Sequence, residues 1–150
     1  MKALVINGPN LNLLGLREPD IYGHDNYDRL ESICHEAGRE YGFETIAVFQ
    51  SNHEGAIVDK IQAAHGTFDG IVINPAAYTH TSVAILDALK AVGLPAVEIH
   101  ISDVDAREEF RQISYAGMAC FARVTGEGLD GYRHALQLLA ERLQADESAR

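Results

Sequence analysis

Lysine is scarce in this chain of 150 residues: Lys2, Lys60 and Lys90 are the whole supply, and tryptophan is absent. None of the three falls at the carboxyl end of an expected strand, which disfavours imine chemistry through a lysine. Cys34 and Cys120 are the only cysteines and make no C-x-x-C spacing. A disulfide framework is thereby excluded, and both are expected on apolar faces as buried free thiols in a cytoplasmic protein. No apolar run approaches the ~20 residues of a membrane span, and Met1 leads into a strand rather than a signal peptide. Positive charge is also short, with a formal net charge of −10. That balance argues against nucleic acid and anionic membranes as partners, so an anionic ligand must be held by local arginines or backbone N–H groups.

Several catalytic signatures are missing too. A dinucleotide fingerprint needs G-x-G-x-x-G after the first strand, and a phosphate-gripping loop needs a terminal Gly-Lys; Asn7-Gly8-Pro9-Asn10 is neither. Neither His35-Glu36 nor His53-Glu54 has a second histidine four positions after the first, so the zinc-protease motif is absent. No G-x-S-x-G elbow occurs. Asn7, Asn74 and Thr125 stand where a receiver domain would need its acidic residues and lysine.

What is present is an alternation of apolar strands with amphipathic helices. The patterns predict strands over 3–7, 45–50, 70–74, 96–100 and 119–125. Helices are predicted over 26–41 (capped by Asp25 or Asn26), 55–65, from about Thr81 to Gly93, and 132–145, with a helical turn over 105–112. Thr79 and Thr81 are read as helix caps, and the tail 145–150 is expected to fray. These elements predict an α/β domain spanning 1–150: a flavodoxin-like three-layer sandwich whose five parallel strands run in the order 2-1-3-4-5.

In such a sheet, ligands sit outside the carboxyl ends of the strands. Four strands finish there on Asn7, Gln50, Asn74 and His100. The stretch from Ile6 to Gly23, broken by Gly8-Pro9 and Gly15, reads as a long active-site lid carrying Arg17 and Tyr22. A guanidinium nearby would favour the phenolate of Tyr22, although the residue serves equally well as a packing aromatic. Glu98, two residues before His100, shares its strand face and can fix the histidine's tautomer, unless His100 is simply a structural strand end. The N–H groups of Ile101 and Ser102 are placed to meet an anion. Arg107 and Arg111, four apart, share a face that also suits solvated surface.

Together the runs Asn7 to Gly15, Arg17-Glu18-Pro19, Tyr22-Gly23, Gln50-Ser51-Asn52, Asn74 to Ala77, Thr79 to Ser82, Glu98 to Ser102, Ala106 to Arg111 and the Gly126, Gly128, Gly131-Tyr132 segment resemble type II 3-dehydroquinate dehydratase. The resemblance spans essentially the whole chain. It implies a cytoplasmic lyase of the shikimate or quinate pathway that removes water from 3-dehydroquinate without metal or cofactor. In that family's terms Tyr22 is the base, favoured by Arg17 and Arg107, and His100, oriented by Glu98, is the acid. Asn10 holds a water that stabilises an enolate. Asn74, Ile101 and Ser102 meet the substrate carboxylate, while His80 and Arg111 hold ring hydroxyls. Asp87 reaches a neighbouring subunit's site, and the assembly is a dodecamer of four trimers. Two departures stand out: Asp103 replaces the usual Asn, and the segment 112–120 differs from the usual run before the last strand.

Overall fold

The computed structural model describes residues 1–16 and 25–150. Five strands, β1 (Lys2–Asn7), β2 (Thr45–Gln50), β3 (Gly70–Asn74), β4 (Ala96–His100) and β5 (Ala122–Thr125), form one parallel sheet in the order β2-β1-β3-β4-β5. The predicted topology is the observed one. Its register aligns the strand ends, with Asn7 opposite both Gln50 and Asn74 and His100 opposite Thr125. Gln50, Asn7 and Asn74 therefore lie side by side at the carboxyl edge, while Glu98 pairs with Ile73 and His100 stands one position beyond Asn74.

Strand alternation divides the core into two layers. Ala3, Val5, Val72, Val97, Ile99 and Val124 pack under α1 (Tyr27–Glu40) and α4 (Asp130–Ser148). Leu4, Ile6, Ile71, Ile73 and Ala96 pack under α2 (Glu54–Ala64) and α3 (Val83–Val92). Every residue of β3 and β4 is buried, as expected of central strands covered on both faces. Asn26 caps α1, its side chain accepting the Arg29 N–H at 2.9 Å, a contact typically worth about 1 kcal/mol. Gly93 closes α3 with φ 65°, a conformation that glycine adopts without strain.

Four local expectations are corrected. The cap of α3 is Ser82, whose hydroxyl accepts the Ile85 N–H, not Thr79 or Thr81. Thr79 is instead buried, its hydroxyl without a hydrogen-bond partner among the described residues. The single turn expected over 105–112 is two 3-10 turns, Val104–Ala106 and Glu109–Arg111, with Arg107 extended between them. Strand β5 starts at Ala122 because residues Ala116–Ala119 coil into a further 3-10 turn, where the Ser114 hydroxyl accepts the Gly117 N–H. Finally, α4 continues past Ala145 to Ser148, since good helix formers and an Arg142–Asp146 pair at 3.1 Å carry it on.

Cys34 is buried and Cys120 half-buried, both as free thiols, and burial pushes each up to about 12. No described helix is long and apolar enough to cross a membrane.

Candidate active site

A cavity of about 240 Å³ opens at the carboxyl edge of the sheet. Its walls include Asn10, Asn74, His80, His100, Ile101, Ser102, Arg107 and Arg111. Eight of the residues singled out from the sequence are thus brought together by four separate segments. Glu98 stands behind His100, while Asp87 is exposed on α3 and does not line this cavity. Arg17 and Tyr22 lie outside the described residues.

His100 is the best-defined group. Its Nε2 lies 2.6 Å from Glu98 Oε1, with both side chains almost wholly buried. The carboxylate fixes the imidazole's orientation and occupies Nε2, which leaves Nδ1, without a partner among the described residues, as the nitrogen for chemistry. Glu98 Oε1 also accepts the Ser114 hydroxyl at 2.6 Å, and Arg123, opposite it on β5, places Nε 3.7 Å from Oε2. Burial alone would raise the Glu98 carboxyl, but the bonds from His100 and Ser114 and the charges of His100 and Arg123 outweigh it. The net effect holds Glu98 below the usual carboxylate value.

A consequence for stability follows. A carboxyl lowered by folding contributes stability above its unfolded value, and that contribution disappears as the pH falls through the folded-state value. The uncharged variant Glu98→Gln is therefore expected to melt at a lower temperature than wild type near neutral pH. The gap should close as the pH falls below about 4, where an ordinary carboxyl is protonated. Thermal melts across this range read it directly, and a gap of constant size would remove the charge contribution.

The opposite wall is built for anions and hydroxyls. Arg107 and Arg111 share the exposed carboxylate of Glu108, at 3.9 and 2.6 Å. Its own backbone amide and the Arg111 guanidinium hold Glu108 below the usual carboxylate value. His80 Nδ1 donates to the Ile113 carbonyl at 2.8 Å, which fixes its tautomer and leaves Nε2 unprotonated in the neutral ring. The Ile101 and Ser102 carbonyls accept from Gly128 and Gly126, which orients their peptide planes. Asp103 accepts the Asp105 N–H through Oδ1, a capping contact that asparagine and aspartate make equally well, so this departure leaves the turn intact.

Other contributors were given no individual role from the sequence, although Gln50 was marked as a strand end and Asn52 as part of a matching run. The Gln50 amide donates to the Gly8 carbonyl and to Asn12 and Asn52, and Asn52 accepts the Asn10 N–H, so these two residues pin the start of the long loop. Gly8 is fixed by close approach: a Cβ there would lie 2.4 Å from the Pro75 carbonyl oxygen. Asn10 itself takes a left-handed φ of 70°. Ser114, Arg123, Asn7 and Tyr132 support the walls from behind. Of these, Asn7 was marked as a strand end and as the start of the run Asn7 to Gly15, and Tyr132 as part of the closing segment, neither with a role of its own. Among the described residues, no three His, Cys, Asp or Glu side chains gather as a metal site.

Residues 1–140 match the family described as Dehydroquinase class II. The chain belongs to the class II dehydroquinase family. It is similar to the 3-dehydroquinate dehydratase of Corynebacterium glutamicum (strain R), 52% identical over 139 residues, covering 93% of this chain and 95% of that one. Similarity to catabolic 3-dehydroquinase 1 of Neosartorya fischeri is 54% over 137 residues, 91% of each chain. The crystal structure of a type II dehydroquinase from Butyrivibrio crossotus superposes with a TM-score of 0.88 at 51% identity, covering 93% of this chain and 97% of that one. The relatives thus include an enzyme named as catabolic.

Proposed function

We propose that this chain dehydrates 3-dehydroquinate to 3-dehydroshikimate by anti elimination through an enolate, in the shikimate or quinate pathway. The observation that carries the reading is the buried His100–Glu98 pair facing a cavity whose other wall presents Arg107 and Arg111. Such a site suits proton transfer to and from a small, anionic, hydroxylated ring.

Tyr22 removes the C2 proton as phenolate, favoured by the positive charges of Arg17 and Arg107. Negative charge collects on the C3 oxygen, where a water held by Asn10 stabilises it. The enolate then re-forms its ketone as the C1–O bond breaks, and His100 gives its proton to the departing hydroxyl. One C–H and one C–O bond are lost, a C1–C2 double bond forms, and water leaves. Asn74 and the N–H groups of Ile101 and Ser102 meet the substrate carboxylate, while His80 and Arg111 hold the ring hydroxyls. Asp87, remote from its own cavity, serves a neighbouring subunit's site in a dodecamer built of four trimers.

Ultraviolet absorbance tests the reaction. Chelator-treated protein mixed with 3-dehydroquinate is expected to produce the absorbance of a conjugated enone, unaffected by borohydride. Inactivation by borohydride in the presence of substrate would mean a lysine imine instead, although no lysine lines the cavity. Binding without absorbance growth in folded protein would make the chain a ligand-binding module.

A further inference from the structure

The helix α4 sends one side chain to the back of the site. Tyr132 is fully buried, and its hydroxyl lies 2.6 Å from Asn7 Oδ1 and 3.0 Å from Asn74 Nδ2. Asn7 and Asn74 end adjacent strands and are likewise buried. Asn7 Nδ2 continues the series to the Tyr27 hydroxyl at 3.4 Å, on the first residue of α1.

The direction of these bonds follows from one backbone group. The Ala76 N–H, which can only donate, lies 3.2 Å from the side-chain oxygen of Asn74. The Asn74 amide nitrogen must then face Tyr132 and donate to it. The Tyr132 hydroxyl, having accepted, sends its single proton to Asn7, whose oxygen must face it. A rotated Asn74 would set its NH₂ against the Ala76 N–H, two donors with no acceptor between them. Asn74 is itself buried, so such a mismatch would be costly. With one amide hydrogen committed to Tyr132, Asn74 keeps one more on a side chain that lines the cavity.

We infer that Tyr132 is a positioning residue for substrate binding: it locks the Asn74 amide with its nitrogen, not its oxygen, available to an anionic ligand group. The inference rests on the reading that Asn74 meets the substrate carboxylate. An oxygen in that place would repel a carboxylate, so the lock sets the sign of the contact as well as its position. Burial raises the Tyr132 phenol well above its ordinary value, which keeps the hydroxyl proton that the lock needs and excludes Tyr132 as a base.

A double-mutant cycle on the full chain tests this, with kcat and KM for 3-dehydroquinate and thermal midpoints measured for each protein. Tyr132→Phe retains the ring and is expected to raise KM about tenfold while kcat changes little, the pattern of lost ground-state binding. Asn74→Ala should raise KM at least as far, and Tyr132→Phe should add nothing in its presence. Asn7→Ala, which frees the Tyr132 proton without touching its ring, is the second variant and should raise KM in the same direction. Full additivity of Tyr132→Phe and Asn74→Ala would overturn the inference, as would a thermal shift in Tyr132→Phe with unchanged KM. An unchanged KM in Asn74→Ala is a different failure, because it would remove the carboxylate contact on which the inference rests.

Discussion

His100→Ala is expected to lower turnover by at least ~10²-fold, the usual loss when a positioned acid is removed. Departure of hydroxide at neutral pH needs a proton delivered as the C1–O bond breaks, and the described cavity offers two imidazoles for it. Only His100 has a carboxylate at 2.6 Å to orient it; His80 is tied to a backbone carbonyl instead. The variant also strips Glu98 of its imidazole partner and leaves a buried carboxylate with Ser114 and a more distant Arg123. A lower melting temperature should therefore accompany the lost turnover, and kinetics belong well below it. If folded His100→Ala retains near-normal turnover, the acid is another group, and His80 is the next to replace.

Tyr22→Phe should cost turnover by a similar factor, at least ~10²-fold, with the protein still folded. The other tyrosines offer no substitute. Burial pushes Tyr27 up to about 12 and raises Tyr132 well above the ordinary phenol value, so neither forms a phenolate near neutral pH. No described tyrosine lines the cavity. Since phenylalanine retains the ring and loses only the ionisable oxygen, kcat should fall far more than KM rises. Single-turnover measurement of C2-proton exchange with solvent isolates the step. Exchange at the wild-type rate in this variant would assign proton removal elsewhere.

Much of the scaffold was readable from the chain because alternation and helical periodicity are local. β4 was placed to the residue, and the partner of His100 was found because Glu98 lies two positions away on the same face. Contacts between distant segments left no such trace. Tyr132 meets Asn7 across 125 positions, and Arg123 meets Glu98 only because β5 pairs with β4. The turn residues were misplaced for a related reason. Ser82, Thr81 and Thr79 can all cap a helix, and tertiary packing chose Ser82. Arg107 and Arg111 do reach one cavity, but through an extended link between two tight turns rather than a shared helical face.

The length of α4 has a practical side. It leaves the sheet at the carboxyl edge and returns antiparallel to the strands, and its 19 residues span roughly 28 Å. A five-residue strand spans only about 17 Å, so the helix overshoots the opposite edge. Met1 and Leu143 both pack on the same core layer there. Either end of the chain can therefore carry a fusion partner or a tether to a solid support while the catalytic mouth still faces solution.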